Sequence, residues 1–196
     1  MAVTPSYVRD PNRIARDAFY SIVGVSGLLT TVAARTASAG HVFAARFASA
    51  SKVFAVTRLR VYWQTIAGFT AAQEMALAAF KLTSYSAAHT GGTAITALAR
   101  SPEFAASGLS ARIGTTGALT AGTQTIGAQL LQGSFSELAD SSLLYKGFID
   151  EQREDPDHPI CVLENEEGIL VSNEILMGAG GTGRLTVEID GFERNG

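Results

Sequence analysis

Gly178-Ala-Gly-Gly-Thr-Gly183 has the spacing of a dinucleotide-binding loop, where glycines let the backbone approach a pyrophosphate at the start of a helix. That chemistry needs a helix after the loop, and here Arg184 to Asp190 alternates as a strand, so a hairpin loop is expected. Glu154, Asp155, Asp157 and His158 lie in the most charged stretch, Asp150 to His158, and clustered carboxylates on an irregular loop suit a hard cation such as calcium. Their order is not that of an EF-hand, which favours an exposed acidic loop; Glu164, Glu166 and Glu167 carry the same reading. His41, His89 and His158 each adjoin a turn or loop, far apart, without the His-x-x-x-His or Cys/His spacing of a zinc site. Cys161, three residues after His158, reads as a small core residue at a strand start rather than a nucleophile beside its base. No serine sits in Gly-x-Ser-x-Gly and no phosphate loop is present. Tyr62 and Trp63 beside Arg58 and Arg60 are the residue types that stack on a sugar or base, but a tryptophan on a central strand belongs in a core. The sequence therefore assigns no catalytic residue, no cofactor and no metal ligand, and the expectation is a non-enzymatic protein.

The elements that would position these residues are strands. From Lys52 to Trp63 one parity carries Val53, Ala55, Thr57, Leu59, Val61 and Trp63, and the other Lys52, Arg58, Arg60 and Tyr62, the alternation of a strand buried on one side. Phe43, Ala45 and Phe47 mark the apolar face of the strand before it. Ala71 to Lys81 is rich in helix formers, yet Leu77 and Ala79 alternate with Ala78 and Phe80 into Leu82 to Tyr85, and a strand is expected there. Phe19 to Val25 and Gly27 to Ala34 read as an early hairpin or one broken strand, with a short helix from Pro11 to Tyr20 as the competing reading. His89-Thr-Gly91-Gly92-Thr93 reads as a tight turn that reverses two strands. Ser107 to Thr125 holds at most one short strand among loops; Gln124 to Phe135 and Ser141 to Ile149 regain strand character. Leu185, Val187 and Ile189 form the buried side of the last strand, and Gly191 is placed to return Phe192 to that side as a bulge. About eight or nine strands without alternating helices indicate an all-β antiparallel sandwich. Residues 1–40 are expected to form an extended arm and early strands, and 41–196 the sandwich domain.

Composition narrows the role. At 196 residues, 46% hydrophobic and 17% charged, the chain can bury a core, although alanine supplies much of the apolar content. A net charge of −3 without any run of Lys or Arg disfavours direct nucleic-acid binding, which needs clustered cations. One cysteine, Cys161, cannot form an internal disulfide. The 17 uncharged residues Ala18 to Ala34, followed by Ala37-Ser-Ala39, mimic an export signal. Polar residues dilute that run and Asp10 and Asp17 precede it, so short strands or a packed arm are expected instead of a leader or a membrane span.

Lys52-Val-Phe-Ala-Val-Thr-Arg-Leu-Arg-Val-Tyr-Trp63, Phe80-Lys-Leu-Thr-Ser84, Thr90-Gly-Gly-Thr-Ala-Ile-Thr96, Glu167-Gly-Ile-Leu-Val171 and Gly183-Arg-Leu-Thr-Val-Glu-Ile189 together resemble small β-sandwich virion proteins of tailed bacteriophages. The resemblance spans about Val42 to Phe192; residues before His41 are not covered, and Ala71 to Ala79 departs from the usual β-branched pattern. It implies a jelly-roll-like sandwich that assembles on the particle as a head decoration or cement subunit, or as a tail or fibre subunit. The implied partners are the major capsid protein or other virion subunits and further copies of the chain, with no direct nucleic-acid binding and no membrane. The implied location is the virion, after synthesis in the host cytoplasm. A carbohydrate-binding sandwich is the alternative and would require exposed aromatics on one face. A self-enclosing coat protein is disfavoured by the missing basic arm.

Overall fold

The computed structural model describes residues 18–137, 139, 145–153 and 158–195. Residues 1–17 of the expected arm, and the carboxylates Glu154, Asp155 and Asp157, lie outside them. Twelve strands and no helix occupy the described residues: β1 (Ala18–Val25), β2 (His41–Phe47), β3 (Lys52–Ala67), β4 (Gln73–Ala87), β5 (Thr93–Thr96), β6 (Leu98–Ala99), β7 (Leu109–Ile113), β8 (Thr123–Glu137), β9 (Tyr145–Gln152), β10 (Cys161–Leu163), β11 (Glu167–Asn173) and β12 (Thr182–Asn195). The strands beyond the expected eight or nine include β6, whose two residues are too few to show a period.

Two antiparallel sheets form the expected sandwich. The first is ordered β10-β3-β12-β1-β6, with β9 also on β3; the second is β5-β7-β2-β11-β4-β8. Their facing sides share one core, with Ile22, Leu59, Val61, Trp63, Leu185 and Ile189 from the first sheet against Phe43, Phe47, Leu77, Ile169 and Val171 from the second. The uncharged run from Ala18 is spent here: β1 pairs with β12 along its whole length, and Leu29 bridges to Gly183. Ala18 to Tyr20 are strand rather than the end of a helix, and no hairpin forms within 18–34, because β12 and β6 hold the two edges of β1.

Three details depart from simple alternation. On β3 the buried set is Leu59, Val61 and Trp63 as expected, but upstream Phe54 and Val56 enter the inter-sheet core in place of Val53, Ala55 and Thr57. The cause is a bulge: Asp190 pairs with Arg58 and Gly191 with Val56, so Thr57 is the extra residue and the parity of β3 flips. Because the extra residue sits on β3, β12 continues unbroken against β1, and Phe192 stays on the outer face, 5.5 Å from the ring of Phe19. The inward position falls to Glu193, which accepts from Ser107 Oγ and the Gly108 N–H and pairs with Lys52 at 3.0 Å.

The alanine-rich segment is strand β4, as expected. It is hydrogen-bonded to β11 on one edge and β8 on the other, and both faces are covered, so tertiary pairing overrides helix propensity. Met75, Leu77 and Ala79 face the main core, while Ala78, Phe80, Leu82 and Tyr85 join Ala44, Leu119 and Leu170 in a second apolar cluster on the outer side of the sheet. Arg35 lies 4.4 Å above the Phe80 ring and covers part of that cluster.

Gly178 to Gly183 is not a hairpin loop, since it carries the chain from β11 in the second sheet to β12 in the first. Its glycines permit close packing: a Cβ on Gly181 would overlap the buried Phe69 ring, and one on Gly183 the Trp63 indole. Gly181→Ala is therefore expected to cost about 1–3 kcal/mol by overpacking, read as a lowered urea midpoint with unchanged slope. An unchanged midpoint would show that Phe69 yields freely.

Candidate functional site

Of the residues weighed for chemistry, His41 and His89 are brought together although 48 positions separate them. His41 opens β2, directly after the turn in which the Thr36 hydroxyl accepts from the N–H groups of Ser38 and Ala39. His89 lies in the link from β4 to β5. Gly91 and Gly92 in that link take the positive φ expected of a turn, 75° and 58°. The flanking strands nevertheless do not pair: β4 and β5 are separated in the sheet by β11, β2 and β7, and the link crosses from one to the other, tied down where Thr90 exchanges backbone hydrogen bonds with Thr120.

The end of β4 supplies the third member. Ser84 and Glu166 are the non-glycine residues with positive φ among the described residues, at 50° and 60°. They meet at one point, where the Tyr85 N–H donates to the Glu166 carbonyl at 2.6 Å. Left-handed φ at Ser84, beside a register shift between Thr83 and Ala87, turns Tyr85 to the same outer side as Leu82. Its hydroxyl then reaches His89 Nδ1 at 2.6 Å and accepts from the His89 backbone N–H at 3.0 Å.

Hydrogen-bond accounting sets the tautomers. His41 Nε2 faces the Thr36 carbonyl at 3.1 Å and must donate, which leaves Nδ1 to accept from His89 Nε2–H at 2.8 Å. His89 Nδ1 is then the acceptor for Tyr85 O–H. All three groups are buried and every polar atom is satisfied with both imidazoles neutral. Burial lowers the pKa of His41, opposed by the Thr36 carbonyl and aided by Arg35, and lowers that of His89 to about 4, with His41 adding to the effect. Burial raises the Tyr85 hydroxyl. No imidazole nitrogen is left to take a substrate proton or a metal, so this chain of bonds acts as a clamp between β2, β4 and the crossing link.

Beside the clamp, on the outer face of the second sheet, lies a cleft of about 250 Å³ bordered by Arg46, Tyr85, His89, Ile95, Ser110 and Arg112 among others. Arg46 Nε donates to the Tyr85 carbonyl at 2.5 Å, and Arg112 Nη1 to the Gly91 carbonyl at 2.7 Å.

The other candidates are dispersed. Cys161 begins β10 opposite Val56, and burial pushes its thiol up to about 12, so it is no thiolate at neutral pH. Trp63 is buried, with its indole N–H on Thr65 Oγ1 at 2.9 Å and the Thr65 hydroxyl on Glu137, so it offers no stacking face. Arg58 joins Ser21 and Arg100 around Asp190, and Arg60 pairs with Asp150, all on the outer side of the first sheet. Glu164, Glu166 and Glu167 lie in one turn, where Glu166 pairs with Arg46 and Glu167 with Lys81. No group of three or more metal-ligating side chains occurs among the described residues. Sequence reading missed the His41–His89–Tyr85 chain; the one local sign was two turn-flanking histidines, which carries no spacing rule. Comparison with protein-family models, curated proteins and solved structures finds no match to this chain.

Proposed function

We propose that this chain is a non-enzymatic structural subunit of a tailed-bacteriophage particle, a capsid decoration or cement protein whose sandwich docks on the major capsid protein or a neighbouring virion subunit. The virion assignment rests on the sequence resemblance. The observation that carries the docking role is an apolar patch at one edge of the first sheet. Val23 and Val25 are 58% and 55% exposed on the outer face of β1, and Leu98, 72% exposed, stands beside them because β6 pairs Leu98 with Ser21. Thr186, Glu188 and Asp190, opposite on β12, give the patch a polar border. Clustered exposed valine and leucine within such a border is the composition of a binding surface, since an isolated fold gains nothing from leaving them in water. Further copies bound on a symmetric particle would multiply modest contacts. A tail or fibre position would use the same surface. A carbohydrate-binding role has less support, because Trp63, Tyr20 and Tyr85 are buried.

The test is cosedimentation of the purified chain with phage heads, alongside mass spectrometry of purified virions. The wild-type chain is expected to pellet with heads. Val23→Lys combined with Leu98→Lys is expected to abolish pelleting while leaving the melting temperature nearly unchanged, because both sites are solvent-exposed and the new charges face Glu188 and Asp190. Absence of the chain from virions, together with no pelleting, would overturn the assignment.

A further inference from the structure

The cleft on the second sheet has a charge pattern that the docking role does not use. β2 and β7 pair with Arg46 opposite Ser110 and Ala44 opposite Arg112. Strand alternation therefore puts both arginines on the same outer face as diagonal neighbours, close enough for long side chains to converge on one object. Among the described residues they are the charged side chains that line the cleft, and no described carboxylate lines it. Glu166 approaches Arg46 Nη2 from the rim at 3.6 Å and is about half exposed.

Each guanidinium is aimed by a backbone carbonyl, Arg46 by that of Tyr85 and Arg112 by that of Gly91. A guanidinium carries five N–H donors in a fixed fork, so one anchoring bond orients the rest without using them up. The neighbouring floor is small: Ala44, Ala94 and Ser110 leave the volume open. That volume, about 250 Å³, falls just under the roughly 300–1,000 Å³ of pockets for drug-sized ligands.

We propose that this cleft binds a small oxyanionic molecule, with a carboxylate or phosphate group held between the Arg46 and Arg112 guanidiniums beside the Ser110 hydroxyl. Two pre-aimed guanidiniums, of which Arg46 meets only the half-exposed Glu166 at 3.6 Å on the rim, suit bidentate oxyanion recognition. The site lies on the opposite sheet from the apolar patch.

The experiment is thermal unfolding and calorimetric titration of the full chain at pH 7.5 with inorganic phosphate, and separately with citrate, against sodium chloride at matched ionic strength. A saturable rise in melting temperature is expected with one of the two anions and not with chloride. A larger response to phosphate assigns a phosphate-bearing ligand, and a larger response to citrate a carboxylate. Arg112→Gln is expected to weaken binding at least tenfold. Arg112→Lys, which keeps the charge and loses the fork, should weaken it less. Arg100→Gln, a change at the Asp190 cluster on the other sheet, should leave it unaltered. No saturable response to either anion, or wild-type affinity in whichever Arg112 variants fold, overturns the proposal.

Discussion

Acidification from pH 7 to pH 4 is expected to remove about 2–3 kcal/mol of folding stability through His89 alone. The folded-state pKa of His89 is lowered to about 4, whereas an unfolded chain titrates it near the ordinary 6.5. Between those values the unfolded state binds a proton that the folded state refuses, so stability is complete above pH 6.5 and is lost as pH falls toward 4. His41, lowered in the same direction, adds to the loss. The physical event is loss of the Tyr85–His89–His41–Thr36 chain, because a protonated His89 has no acceptor for Tyr85 and sets a second cation's field on His41. Urea midpoints at pH 7.5, 6, 5 and 4.5 should fall progressively. His89→Gln should flatten that dependence between pH 6.5 and 4.5, while costing about 1–3 kcal/mol at neutral pH through unsatisfied buried partners. A wild-type midpoint constant from pH 7 to 5 would show that the imidazoles are not held neutral.

The second large effect is at Trp63. Trp63→Ala is expected to cost about 3–5 kcal/mol, because the side chain is fully buried between the sheets and its loss leaves a cavity against Leu29, Val42, Leu77 and Leu185. It also removes the donor to Thr65, in a chain that ends on the buried carboxylate of Glu137. Gly183, which leaves no room for a Cβ against the indole, cannot shift to refill the space without breaking the β3–β12 ladder. Trp63→Phe should cost less than the alanine change. The chain has one tryptophan, so unfolding of these variants is followed by circular dichroism. A loss under about 1 kcal/mol for Trp63→Ala would mean that the sheets close over the gap.

How far the sequence carried can be seen strand by strand. Phe43, Ala45 and Phe47 face the core as their alternation required, and Ser107 to Thr125, read as loops with at most one short strand, contains one whole short strand, β7, before β8 begins at Thr123. Alternation failed at Thr57, where a single inserted residue exchanged the two faces of β3. The sequence points to a bulge at Gly191, and the register shift falls between Asp190 and Gly191. Which strand holds the extra residue depended on β1, which keeps β12 regular.

What the sequence determined by itself was that this chain folds as antiparallel strands, since period-2 alternation is local and follows from where successive side chains point along an extended backbone. Tertiary structure alone decided which strands are neighbours. It put β4 and β5 on opposite sides of three other strands, turned the glycine-rich Gly178 to Gly183 run into a passage between sheets, and set His41 against His89. Those outcomes depend on hydrogen bonds and burial between segments tens of residues apart, and spacing within a segment holds no record of the segment that will lie across from it.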